Sequence, residues 1–292
     1  MRTPGAMKRR ATNRPPWVPI AVRRHHHHPE RPQPAMTTHR TQRLVTALLA
    51  TTVVLAASLL TPGGVATAAA PCDYPAQQLN LTNWKVTLPT GSSGSPTEIK
   101  QPQLKTYSAN PWFTVNSACT GVQFRSPVNG VTTPNSSYAR SELREMASNG
   151  TANASWSATS GTHTMTFRLA FNKLPNTKAH VVGAQIHDGD DDVTVFRLEG
   201  TNLYVTKGNT THHKLITSNY KLHTVFEGKF VVSGGQIKVY YNGTLQTTIS
   251  HTASGNYFKA GAYTQANCGN SSPCSSSNYG QTSLYKLLVT HS

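Results

Sequence analysis

The sequence predicts an all-β protein, a two-sheet sandwich of jelly-roll type. Apolar residues alternate with polar ones over short runs, Gly, Asn and Ser punctuate those runs, and no long stretch shows the helical period. Trp84, Val86 and Leu88 give the apolar side of a first strand. Met165, Phe167, Leu169 and Phe171 repeat the pattern, and residues 193–198 and 202–206 add further β-branched and aromatic runs. Ile237, Val239 and Tyr241 lead into Asn242-Gly243 and then Leu245, Thr247 and Ile249. An Asn-Gly pair between alternating runs predicts a hairpin closed by a primed turn. Residues 284–289 supply a last strand, and the span 70–292, without interior linker or repeat, suits one domain.

The N-terminal quarter reads differently. Residues 44–60 form an apolar stretch behind Arg40 and Arg43, followed by the small-residue tract Val65-Ala-Thr-Ala-Ala-Ala70. A positive flank, an apolar core and an A-x-A site describe a secretory signal peptide, assigned to residues 36–69 with cleavage after Ala68 or Ala69. A membrane anchor is the competing reading, which the alanine-rich exit disfavours. Residues 1–35, rich in Pro and Arg and containing His25 to His28, are read as a mis-assigned or disordered extension upstream of a start at Met36. The expected protein is therefore secreted and extracellular, free of the membrane after cleavage.

Charge and cysteine content narrow the partner. The 292-residue chain has a formal net charge of +16, but residues 71–292 carry 17 Lys+Arg against 10 Asp+Glu, a net +7. That excess suits an acidic partner. Export and the absence of a nucleic-acid-binding motif argue against nucleic acid. Cys72, Cys119, Cys268 and Cys274 all follow the signal segment, and an even count in an exported chain argues for disulfides. Of three connectivities, Cys268–Cys274 as a loop clip with Cys72–Cys119 tying down the N-terminus is favoured. No C-x-x-C spacing or Cys/His cluster suggests zinc, the run His25 to His28 could bind metal but has nothing nearby to organise a defined site, and no metal or cofactor is expected. Asp188-Gly-Asp-Asp-Asp192 lacks the ligand pattern of a calcium loop and is read as a solvent-exposed acidic turn.

Three segments carry the chemistry. In a strand, residues i, i+2 and i+4 share a face. Residues 138–144 turn Tyr138, Arg140, Glu142 and Arg144 one way, and Ala139, Ser141 and Leu143 the other. Gln185 and His187 share a face with Ile186 opposite, and Tyr257, Lys259, Gly261, Tyr263 and Gln265 oppose Phe258, Ala260, Ala262 and Thr264. Any one segment is compatible with a solvated ladder of polar side chains. Their common phase, polar outward and apolar inward, points to one cleft combining cations, an amide and proton carriers for an anionic ligand.

The blocks R-S-E-L-R at 140–144, Q-I-H at 185–187 and Y-F-K-A-G-A-Y-T-Q at 257–265 resemble the signature blocks of alginate lyases of polysaccharide lyase family 7. Residues 79–88 resemble that family's opening strand, so the likeness covers essentially the whole of residues 70–292. The resemblance implies a concanavalin-like β-jelly roll sandwich whose concave sheet forms the substrate cleft. It also implies a monomer acting on alginate, an anionic polysaccharide, by β-elimination.

That reaction removes the C5 proton, α to a carboxylate, and expels the C4 oxygen. Charge building on the carboxylate needs fixed donors, each worth roughly 3–4 kcal/mol in the transition state. The resemblance assigns this to Arg140 and Gln185, assisted by His187, and makes Tyr263 the proton handler. A free phenol titrates near 10 and a free imidazole near 6.5, so His187 needs less help to act as base. In mannuronate the proton and leaving oxygen share a face and Tyr263 could serve both roles; in guluronate they are opposed, and His187 as base with Tyr263 as acid is the sensible division. Arg144, Tyr257, Lys259 and Gln265 are expected at substrate subsites, with Glu142 among them as the carboxylate that orients an arginine. Q-I-H members of the family tend to accept guluronate-containing blocks and Q-V-H members mannuronate, so Ile186, acting through packing because it points away from Gln185 and His187, implies a guluronate-specific or bifunctional enzyme; an endo-acting mode is expected. A non-catalytic acidic-glycan-binding sandwich and a lyase for another polyuronate remain the alternatives; the joint presence of His187 and Tyr263 separates the first from an enzyme.

Overall fold

The computed structural model describes residues 72–292. The proposed signal peptide and upstream extension lie outside the described residues. In chain order the strands are β1 (Trp84–Ser92), β2 (Ser95–Ile99), β3 (Phe113–Val115), β4 (Val122–Pro127), β5 (Arg140–Ala147), β6 (Ala152–Asn153), β7 (Thr162–Lys173) and β8 (His180–His187). They continue with β9 (Asp192–Glu199), β10 (Asn202–Lys207), β11 (Thr210–Thr217), β12 (Phe226–Ser233), β13 (Gln236–Tyr241), β14 (Thr244–Ser250), β15 (Tyr257–Thr264) and β16 (Tyr279–His291). A nine-stranded sheet runs β11-β10-β9-β8-β15-β5-β1-β2 with β6 beside β5, and a seven-stranded sheet runs β14-β13-β12-β7-β16-β4-β3. Pairing is antiparallel throughout, and the fold is the anticipated jelly-roll sandwich. Among the described residues no helix is long and apolar enough to cross a membrane.

The apolar phase of each strand builds the core. Leu143, Ile186, Phe196, Phe258 and Ala260 of the larger sheet are fully buried with Phe124, Met165, Phe167, Phe230 and Leu284 of the smaller. Ring centroids of Phe167, Phe196 and Phe230 lie 5.3–6.1 Å apart in edge-on and tilted arrangements that aromatic quadrupoles favour. Because Ile186 points into this core, Gln185 and His187 must emerge on the opposite face of the larger sheet.

The Asn242-Gly243 hairpin forms as expected. Both residues have positive φ, 47° and 80°, and Tyr241 pairs with Thr244 across them, the geometry of a type I′ turn. The disulfides are Cys72–Cys119 and Cys268–Cys274. The predicted strand over 138–144 starts at Arg140, and that over 257–265 ends at Thr264. The alternation along β15 is also interrupted on the β8 side, between Ala260 and Tyr263.

Candidate active site

Antiparallel partners lie on one face, so register decides which side chains meet. The three motif strands are neighbours in the order β8-β15-β5. Lys259 lies opposite Arg144 on one side and Gln185 on the other. Tyr263 faces Arg140, Gly261 faces Glu142, and Tyr257 faces His187. The polar faces of all three segments thus fuse into the floor of one cleft of about 370 Å³. Arg140, Arg144, Gln185, His187, Tyr257, Lys259 and Tyr263 all line it, with the 133–136 loop and the 189–192 turn as walls. Gln265 falls just outside, in an adjoining hollow that shares Gln185, Asp192 and Tyr263 and continues over β9 and β10.

Gly261 makes the floor possible. Its φ is +150°, and a Cβ there would sit 2.5 Å from the Ser141 carbonyl oxygen and 2.8 Å from Glu142 Cα. A side chain would push β15 away from β5 beneath the cleft.

The floor is drier than its sequence suggests. Arg140, Glu142, Gln185 and Lys259 are all buried, where a simple outward-facing polar ladder would be solvated. Mutual pairing is what permits this. Glu142 Oε2 takes Lys259 Nζ at 2.8 Å and Arg140 Nη1 at 3.2 Å, and its Oε1 accepts from Gln185 Nε2 at 2.6 Å. Glu142 therefore orients an arginine as expected, but with its side chain fully buried it is a hub beneath the cleft rather than a group presented to ligand. Burial alone would raise its pKa; Lys259 and then Arg140 outweigh that and hold it below the usual carboxylate value. Lys259 shares the Glu142 carboxylate with Arg140. Burial, reinforced by Arg140, pushes its ammonium down to about 8 against the pull of Glu142. Arg140 Nε is buried with no hydrogen-bond partner among the described residues.

Around that hub stand the proton carriers. His187 Nδ1 lies 2.7 Å from the Asp188 carbonyl oxygen. A carbonyl only accepts, so Nδ1 carries hydrogen and Nε2 of the neutral ring keeps its lone pair. Burial first, then Lys259, hold the imidazole pKa below its ordinary value. Tyr257 braces the ring, stacking on it at 5.2 Å with its hydroxyl 3.1 Å from Nδ1, and the Arg144 guanidinium lies over the Tyr257 ring at 3.9 Å. Tyr263 lies under the Arg140 guanidinium at 3.8 Å, and its hydroxyl is 2.9 Å from Ser136 Oγ.

Some cleft residues were not anticipated. Lys85 and Thr87 of β1 occupy the positions that alternate with Trp84, Val86 and Leu88, so that alternation held the clue; Lys85 pairs with Glu98 at 2.8 Å. Ser136 had no periodic signal, because it lies in a turn. The acidic turn is also less uniform than expected. Asp188 caps it through the amides of Asp190 and Asp191 at 2.9 and 3.1 Å. Asp190 and Asp191 are exposed, but Asp192 is part-buried at the cleft wall, and burial followed by Asp191 pushes its pKa up to about 6. A second hollow, of about 430 Å³, lies around Trp156, Glu145 and His291. Although slightly larger, it is the weaker candidate, because its titratable groups are spent on one another: His291 Nε2 is 2.6 Å from Glu145 Oε1, and His291 Nδ1 is 2.7 Å from His163 Nδ1.

A jelly-roll sheet with a cationic floor, an imidazole and a phenol on one face defines a sandwich built to hold an anionic ligand beside proton carriers. A family model for alginate lyase matches residues 79–291. Among solved structures, the chain is 79% identical to the alginate lyase from Corynebacterium sp., over 76% of this chain and 100% of that one, with a TM-score of 0.75. It is 48% identical to an alginate lyase of polysaccharide lyase family 7, over 75% and 99% of the two chains, TM-score 0.70. A family 7 alginate lyase solved in complex with the substrate GGMG is 26% identical over 76% and 98%, TM-score 0.66. An alginate lyase of Klebsiella pneumoniae is 36% identical over 87 residues, which span 28% of this chain and only 27% of that protein. The chain belongs to the alginate lyase family, polysaccharide lyase family 7.

Proposed function

We propose that the protein is a secreted, monomeric, endo-acting alginate lyase that cleaves by β-elimination and prefers guluronate-containing blocks. The observation that carries this reading is the meeting of Arg140, Gln185, His187 and Tyr263 in one cleft. The substrate carboxylate is held by Arg140 and Gln185, which both line the cleft, Gln185 spending one amide hydrogen on Glu142. These donors neutralise the charge that builds as C5 loses its proton. His187 Nε2 takes that proton, the C5–H electrons form the C4=C5 double bond, the C4–O bond breaks, and the Tyr263 hydroxyl protonates the departing oxygen. A histidine pKa below the ordinary value supports the base role, since the ring is neutral at neutral pH. The hollow that continues the cleft over β9 and β10 supports binding of an extended chain and internal cutting. The relative solved with GGMG, a mixed oligomer, carries a His-to-Asn and a Tyr-to-Phe substitution, which agrees with a His/Tyr pair at the reacting bond.

The deciding experiment mixes residues 70–292 with polyguluronate and polymannuronate separately. Ultraviolet absorbance from the new double bond should rise on both, faster on polyguluronate. Reducing ends without absorbance would mean hydrolysis, and no cleavage with retained binding would favour a glycan-binding module.

A further inference from the structure

The surroundings of Tyr263 carry information that none of the three motifs contains. Thr133-Pro134-Asn135-Ser136 forms a turn closed by the Ser136 amide donating to the Thr133 carbonyl at 3.1 Å. Pro at the second position pre-sets the backbone for such a turn. It delivers Ser136 Oγ to three partners. The hydroxyl donates to the Tyr138 carbonyl at 2.9 Å, accepts from the Tyr138 amide at 3.1 Å, and lies 2.9 Å from Tyr263 Oη.

A serine hydroxyl has one hydrogen and two lone pairs. Here the hydrogen goes to a carbonyl that can only accept, and one lone pair goes to an amide that can only donate. What remains for Tyr263 is the second lone pair, so the phenol must be the donor. Tyr138 is fixed in its turn: its hydroxyl receives Lys178 Nζ at 2.7 Å, and its ring meets the Tyr263 ring edge-on at 6.4 Å. The alternative, Ser136 donating to a Tyr263 phenolate, requires the serine hydrogen to leave the Tyr138 carbonyl.

We propose that Ser136 is a positioning residue that keeps the proton on Tyr263 in the resting enzyme and so favours guluronate over mannuronate. The inference rests on the acid/base reading given under Proposed function. In guluronate, Tyr263 starts as the acid and His187 as the base, which is the state Ser136 supports. In mannuronate, Tyr263 must first accept the C5 proton, which Ser136 opposes until its own hydrogen swings over. To act on guluronate the phenol hydrogen turns from Ser136 to the leaving oxygen, and once it has gone the serine hydrogen swings from the Tyr138 carbonyl to stabilise the phenolate.

The test is steady-state turnover of wild type, Ser136→Ala, Ser136→Thr and Tyr263→Phe on polyguluronate and polymannuronate. Ser136→Ala should lower kcat on polyguluronate by about 10-fold with KM within about 2-fold, and lower kcat on polymannuronate markedly less. Ser136→Thr, which keeps the hydroxyl, should restore most of the loss. Equal losses on both substrates, losses confined to KM, or rates within about 2-fold of wild type on both would overturn the proposal. Should the alanine variant fail to fold, Ser136→Cys, a poorer acceptor of similar size, is read by the same criteria. Tyr263→Phe separates the two levels. If it is inactive while Ser136→Ala behaves as wild type, only the role of Ser136 is lost; if it remains active, the acid/base reading itself is wrong.

Discussion

Glu142 shares its two oxygens among Arg140, Lys259 and Gln185, and this sharing sets the electrical state of the cleft. Burial, with Arg140 beside it, brings Lys259 down to about 8 against the pull of Glu142, while the two cations outweigh burial at Glu142 and keep it low. The consequence has opposite signs for binding and for stability. Above about pH 8 the ammonium neutralises, so KM for alginate should rise through that pH, and Lys259→Met should flatten the rise. For stability, the folded pKa of about 8 lies below the ordinary 10.5, so between those values the unfolded chain binds more protons. Stability from this group should therefore increase with pH across that window, the burial cost being carried in full below it. Denaturant unfolding of wild type and Lys259→Met from pH 7 to 10 reads the sign. A KM insensitive to pH between 7 and 9 would remove Lys259 from substrate binding. Arg140, Gln185, His187 and Tyr263 were legible in the sequence because each lies in a motif with strand phase. Ser136 was not, because a turn has no period and its partner lies 127 residues away.

Among the elements, β15 is the one on which the site turns, since it meets β5 on one side and β8 on the other. Its alternation was readable, but the interruption between Ala260 and Tyr263 on the β8 side was not. Gly261 marks that place, through a conformation that side chains rarely adopt. Gly261→Ala should cost about 1–3 kcal/mol from strain and overpacking. It should also lower turnover far more than that loss of stability explains, because the registers of Tyr263 on Arg140 and of Lys259 on Arg144 depend on the same contact. Thermal unfolding and kcat measured on one preparation test this; a variant with wild-type turnover would show that the close approach is incidental. The Asn242-Gly243 hairpin, by contrast, was legible in full, because a two-residue loop fixes both turn type and register locally.

For the molecule as a whole, the end of the chain ties the two sheets together. Glu145, on β5 of the larger sheet, accepts from Trp156 Nε1 at 3.1 Å and the Phe258 amide at 2.9 Å, and meets His291, on β16 of the smaller sheet, at 2.6 Å. His291 is exposed, so solvent screens the contact and it is worth less than a fully buried pair. His291→Ala should cost about 1–3 kcal/mol by leaving the buried carboxylate under-partnered. The midpoint of thermal unfolding should fall by about 2–4 °C per kcal/mol for a domain of this size. His291→Gln, which keeps a donor, should recover part of the loss, and an unchanged midpoint in the alanine variant would show that solvent replaces the histidine without cost. The sequence by itself determined the fold class, the hairpin and the face on which each motif residue lies, because strand period and turn chemistry are local properties of the chain. Only the tertiary structure decided that the motifs share one floor, that Glu142 is a buried hub, and that Ser136 lies against the Tyr263 hydroxyl. Those facts depend on register between strands far apart in sequence, and burial and hydrogen-bond direction exist only once the strands are paired.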